Sequence, residues 1–330
     1  LAQLQLKAAF SPNPRIQPLV DGEVRIPGVE IEWTFGNPGN LHLMHMTDNA
    51  FDVFEFSISN FSITRQQPAQ RERLRWAAIP IFLSKAFMWR RIAVNVQAGI
   101  GSLADLKGKR VGVPDFQMTA AVWMRIVMRE LYGIQAQDVD WFNGRTAEQS
   151  HGEGVHEALA SGIRLRQATS LGQLSRMLQS GELDAAYGAE QNVEVEDHPN
   201  IRPLFGKGDF PRVVGEFRQK TGATPTNHTV VVQQALIDRH PELAMDLYNA
   251  FEQSKQRAYE RARQAAPAYF LFPDQPFARQ GQIFGDDPFP SGVSANRAML
   301  ELLFSCSVAE GLLPSKPEPA SLFHESTRAT

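Results

Sequence analysis

A single cysteine, Cys306, stands in the 330 residues. One thiol excludes an internal disulfide framework and any cysteine-based zinc cluster. Its apolar neighbours, from Met299 onward, read as a packed segment around an inert thiol. Net charge is equally scarce. Against 36 acids there are 33 lysines and arginines, and the resulting −3 leaves no footprint for nucleic acid or an anionic membrane. No apolar run approaches the roughly 18 residues that span a bilayer. Tandem repeats, a Walker loop and a G-x-G-x-x-G turn are all missing from the sequence. The first residues, Leu1 to Lys7, carry neither a basic start nor a long apolar region, so a cytoplasmic protein is expected. What is present is a globular composition, 43% hydrophobic against 21% charged, in a chain long enough for two lobes.

Residues 99–125 organise the rest. Ser102 and Asp105 have the spacing of a capping box before a short helix. The apolar run Arg110, Val111, Gly112, Val113, ended by Pro114, predicts a strand buried in a parallel sheet. Thr119 is then placed to cap a helix whose Ala120, Trp123, Met124, Val127 and Leu131 share one face. Strand, loop and helix start at Gln117, Met118 and Thr119 make a seat for an anion on backbone N–H groups, or an ordinary strand-to-helix turn.

Strands with one apolar face are expected where Leu4, Leu6, Ala8 and Phe10 alternate, and again at Val29, Ile31, Trp33 and Phe35. In an open α/β sheet ligands sit at the carboxyl ends of strands, which places Ser11, Asn13 and Arg15 for contact. His42 and His45 share a helix face at i, i+3, but no acid completes a metal-binding set. They read as packed or surface histidines. The strand around Phe51 to Phe56 is interrupted by Glu55, followed by Ser57 and Ser59. Two apolar segments, 92–96 and 229–232, flank the middle of the chain. They suggest lobes formed by residues 1–97 with 225–330 and by 98–224. Ser170 and Gly181 bracket a helix, and Glu190 follows a strand at 183–187. A long polar loop over 143–154 and a wrapping segment over 266–289 complete the reading.

The string SLADLKGKRVGVP resembles the opening of the second lobe in type II periplasmic-binding-protein folds. QMTAAVWMR with ELYGI is similar to the 4,5-dihydroxyphthalate decarboxylase family, enzymes built on that fold. FDVFEFSIS, TPTNHTVVV, HPELAMDLYNAFEQSK and GDDPFPSGVSANRAMLE extend the resemblance across nearly the whole chain. It implies an α/β, two-lobed protein with a ligand cleft between the lobes. The implied activity removes one carboxylate from 4,5-dihydroxyphthalate, or a close aromatic dicarboxylate, giving 3,4-dihydroxybenzoate and carbon dioxide. That chemistry runs without an organic cofactor, and no metal ligands are assigned. The expected partner is a small aromatic carboxylate, with neither nucleic acid nor membrane, and a homo-oligomer is left open.

The resemblance and loop position together nominate the site residues. Arg15, Lys85 and the helix start at Gln117, Met118 and Thr119 are expected to hold carboxylates. Glu55 or His228 is expected to move protons. Trp123 or Phe87 would wall the ring, with Ser57 and Glu190 at strand ends nearby. The family carries Arg, Arg and His near Lys85, Met88 and Trp89. This chain keeps only the lysine, which bears on the exact substrate. The alternative is a solute-binding protein serving a transporter for a small aromatic carboxylate, since the same clamshell serves either purpose.

Overall fold

The computed structural model describes residues 3–145, 159–168, 170–188, 198–206, 208–269, 287 and 289–330. The alternating run from Leu4 forms β1 (Leu4–Phe10), paired in parallel along its length with β2 (Val29–Phe35). Asn37 then caps α1 (Pro38–Asp48), its side chain accepting from the Gly39 N–H. The chain returns as β3 (Val53–Ser57), parallel to β1, and Ser57 caps α2 (Ile58–Gln66). After β4 (Trp76–Ile79) it crosses into the second sheet as β5 (Ile92–Asn95).

The expected capping box forms, with Ser102 and Asp105 bracketing the short helix Leu103–Leu106. β6 (Arg110–Val113) leads into α3 (Thr119–Tyr132), followed by β7 (Asp140–Asn143) and β8 (Arg164–Gln167). Next come α4 (Leu171–Ser180), β9 (Ala185–Tyr187), β10 (Ile201–Pro203) and α5 (Asp209–Thr221). The chain crosses back as β11 (His228–Gln233) and ends with α6 (Leu243–Tyr269) and α7 (Arg297–Ala309).

The first sheet has the order β2-β1-β3-β11-β4, with β11 antiparallel to both neighbours. The second has the order β10-β5-β9-β6-β7-β8, with β5 antiparallel to β9 and β10. Residues 92–95 therefore belong to the second sheet, whereas a lobe boundary at residue 97 puts them in the first. An apolar run fully buried in a sheet shows no period that tells which sheet takes it. Leu6, Phe10, Val53, Ile79, Val230 and Val232 pack one face of the first sheet on Leu243, Leu247 and Phe251 of α6. Every residue of α3 from Thr119 to Met128 is buried, and this helix lies in the core that joins the two halves.

Thr119 does not cap α3, because Met118 occupies the cap position. Its hydroxyl is held instead by Ser57 Oγ at 2.8 Å and by the Ser59 N–H at 3.1 Å. The two crossing segments run side by side. Ala86 N–H donates to Pro225 O, Asn227 N–H to Ser84 O, and His228 N–H to Ser84 Oγ, each at 3.1 Å. No described helix is long and apolar enough to cross a membrane. The expected polar loop and wrapping segment lie largely outside the described residues.

Candidate active site

Glu55 and His228 meet because of strand register. In the antiparallel pair β3 and β11, Val230 lies opposite Glu55 and His228 opposite Ser57. Side chains two residues apart share a face, so Glu55 and His228 are diagonal neighbours. The Nδ1–H of His228 donates to Glu55 Oε2 at 3.2 Å. The other oxygen, Oε1, accepts the Ser11 N–H at 2.5 Å, just past the carboxyl end of β1. Both side chains are buried, at 2% and 6% exposure. Burial pushes the Glu55 carboxyl up, but the hydrogen bonds from His228 and Ser11 outweigh it, leaving it below its ordinary value. With Nδ1–H committed to the carboxylate, Nε2 of His228 accepts, here from Asn227 Nδ2 at 3.0 Å.

His228 opens onto a cavity of about 250 Å³ between the two halves of the molecule. The first half contributes Asn37, Pro38, Gly39, His42, Ser57, Asn60, Asn227 and His228. The second contributes Arg91, Pro114, Met118, Thr119, Arg145 and Tyr187. Two guanidinium groups thus share a wall system with two imidazoles, a pairing suited to an anionic ligand that exchanges protons. Arg145 is fixed at the end of β7, where Gly144 N–H and Arg145 N–H extend the ladder onto Val113 O and Pro114 O. Burial lowers its guanidinium and Asp115 opposes that shift. Among the described residues, no three His, Cys, Asp or Glu side chains gather as a metal site.

Of the residues nominated from the sequence, Ser57, Met118, Thr119 and His228 line this cavity, and Glu55 stands directly behind His228. Two of the three backbone donors of the expected anion seat are already taken. Gln117 N–H bonds Asp115 Oδ1 at 3.3 Å and Met118 N–H bonds Asp115 O at 3.2 Å, so both are turned inward. Gln117 is not part of the cavity wall. Arg15 is also elsewhere. It donates to Leu83 O and lies over the Phe289 ring at 3.7 Å, away from the cavity.

Lys85 turns away as well, its Nζ donating to Asn296 Oδ1 at 2.5 Å beside a separate small cavity. Trp123 is fully buried and ties α3 to the second crossing through Nε1–H to Thr226 O at 2.9 Å. Phe87 packs edge-on against Trp89, and Met88 and Trp89 are buried outside the wall. Glu190 lies outside the described residues. Sequence reading missed Arg91, Arg145, Tyr187 and His42. Arg145 and Tyr187 stand at the carboxyl ends of strands, the position that singled out Arg15. Arg91 directly follows the segment where the depleted basic pattern drew attention to Met88 and Trp89.

Two relatives match this chain. The 4,5-dihydroxyphthalate decarboxylase of Comamonas testosteroni is 30% identical over 330 residues, covering 99% of this chain and 98% of that protein. The chain belongs to the 4,5-dihydroxyphthalate decarboxylase family. A second protein of that name, from Pseudomonas putida, is 35% identical over 204 residues, 62% of this chain and 78% of its own length. No family model matches the sequence.

Solved structures give the fold. The periplasmic aliphatic sulphonate binding protein SsuA from Escherichia coli superposes with a TM-score of 0.55 at 12% identity, over 100% of both chains. The desulfurization enzyme DSZB follows with a TM-score of 0.50 at 16% identity, over 99% of this chain and 98% of that one. At these identities the likeness is one of architecture, a two-lobed type II periplasmic-binding-protein-like fold that hosts carriers and enzymes alike.

Proposed function

We propose that this protein decarboxylates 4,5-dihydroxyphthalate, or a close aromatic dicarboxylate, to 3,4-dihydroxybenzoate and carbon dioxide. The observation that carries the proposal is the end-to-end match to a relative of that name, 99% of this chain against 98% of the other. The cavity supports it. A catechol dicarboxylate needs cations for its carboxylates, and Arg91 and Arg145 supply them from the second half. It also needs a base for a phenolic proton, and the Glu55–His228 pair supplies one from the first.

In this mechanism the substrate's phenolic O–H takes the place of the Asn227 amide on His228 Nε2. Transfer of that proton makes an imidazolium that the Glu55 carboxylate stabilises. The phenolate pushes electron density to the para carbon, which is protonated, and the C–C bond to the carboxylate breaks as carbon dioxide leaves. Arg91 and Arg145 orient the ring and remove water from around the leaving group. A catabolic enzyme of this kind belongs in the cytoplasm, which cell fractionation tests.

The deciding experiment incubates the protein with 4,5-dihydroxyphthalate and follows carbon dioxide and loss of the ortho-dicarboxylate. Turnover is expected. Tight binding without carbon dioxide would overturn the enzyme reading in favour of a carrier.

A further inference from the structure

We infer that His42 is a second catalytic proton-transfer residue, which delivers the proton to the ring carbon that loses its carboxylate. The inference rests on the decarboxylase reading above and deepens it. That reaction contains two proton transfers with different geometry. The phenolic proton leaves in the plane of the ring. The incoming proton must approach a ring carbon face-on, at the para position across the ring. An imidazole serves atoms within about 3 Å of one nitrogen, in one orientation, so two groups divide the work better than one.

His42 has the placement this requires. It lines the same cavity as His228 and is 2% exposed. The two imidazole centroids are 4.9 Å apart and the ring planes are inclined at 75°. Both are anchored on a single residue. The Glu55 carboxylate takes the Nδ1–H of His228, and the Glu55 main-chain carbonyl accepts the Nε2–H of His42 at 2.9 Å. Opposite ring nitrogens are thereby tied down. His228 exchanges protons through Nε2 and His42 through Nδ1.

The steps balance. His228 takes the phenolic proton, and His42 as imidazolium gives the Nδ1 proton to carbon. The electron pair of the breaking C–C bond returns to the ring as carbon dioxide departs. His228 then restores the proton to the phenolate oxygen, and His42 is reprotonated from water, so one proton is consumed per carbon dioxide.

The test compares His42→Gln and His42→Asn with His228→Gln on 4,5-dihydroxyphthalate and on a ring-fluorinated analogue with a more acidic phenol. Phthalate, which lacks the hydroxyls this route needs, measures binding. Each variant should lose about 10²- to 10⁴-fold in kcat. His228→Gln should recover much of it on the acidic analogue or at raised pH, where the phenol ionises unaided. The His42 variants should recover on neither and should show a larger solvent deuterium isotope effect, while phthalate binds all of them as it binds the parent.

Turnover by both His42 variants within about tenfold of the parent would overturn the inference and leave the decarboxylase reading standing. So would recovery on the acidic analogue equal to that of His228→Gln, or a loss of phthalate binding that accounts for the whole effect. A parent protein that releases no carbon dioxide overturns both.

Discussion

Burial among Phe51, Phe54 and Trp76 pushes the His45 imidazole down to about 3. Its Nδ1 accepts the Phe51 N–H at 3.0 Å, a bond that only the neutral ring with that nitrogen unprotonated can make. One helical turn separates it from His42, yet the two have different work. The folded form resists protonation down to about 3, whereas the unfolded chain takes up a proton near 6.5. Between those values the unfolded state holds more protons, so this residue makes stability fall as pH drops through that window. His45→Asn keeps an acceptor on the Phe51 N–H but does not titrate. It should cost about 1–3 kcal/mol at pH 7, from lost packing and a poorer bond. At pH 4.5 the parent should have lost about 3 kcal/mol more than the variant. Urea denaturation at the two pH values checks this, and equal losses in both proteins would contradict it.

Within the buried stretch of α3, Thr119 to Met128, the one charged side chain is Arg125, which is 2% exposed and lies against Glu310 just past the end of α7. Arg125 Nη2 reaches Glu310 Oε2 at 2.7 Å, the guanidinium lies 3.8 Å from the centre of the Phe116 ring, and Cys306 Sγ donates to Glu310 Oε1 at 3.3 Å. A buried pair of this kind is worth little against apolar replacements, but losing one partner strands a charge. Arg125→Met alone should lower stability by about 3–5 kcal/mol, and Arg125→Met with Glu310→Leu should recover most of it. Thermal denaturation of the single and double variants decides. The elements themselves were largely legible in the sequence. Alternation from Leu4 and from Val29 marked two strands, Ser102 and Asp105 marked a cap, and Ser170 and Gly181 bracketed a helix, because each depends on near neighbours. Thr119 reads as a cap on the same local grounds, but its hydroxyl is claimed by Ser57 from another element. Arg125 reads as one polar position on a helix, and nothing near it in sequence announces Glu310.

The site is assembled across the whole molecule, and that explains which of its residues could be read. Glu55, Ser57 and His228 are nominated by the resemblance and by loop position, and the pairing of β3 with β11 brings them together. Arg91 and Arg145 face them from the other sheet, and no spacing in the sequence encodes that meeting. Lys85 shows the converse. Its charge and its place between two strands suggested a carboxylate ligand, yet the crossing segment turns it onto Asn296 at the start of α7. Burial lowers its ammonium to about 7, with Asp287 and Glu252 raising it and Lys255 and Arg218 lowering it further. In the unfolded chain the same group holds its proton to about 10.5. From about 7 to 10.5 the unfolded state therefore carries the extra proton, and Lys85 opposes folding. The opposition is complete below the folded value and fades as pH rises. Lys85→Met removes it at the loss of one hydrogen bond to Asn296. Relative to the variant, the parent should gain about 3 kcal/mol of stability between pH 7 and pH 9.5. The variant should be the more stable protein at pH 6, because the bond to Asn296 contributes only about 1 kcal/mol. Denaturant midpoints measured across this range supply the test. Curves that stay parallel would mean that Lys85 remains charged in its buried position, held by Asp287 and Asn296 together.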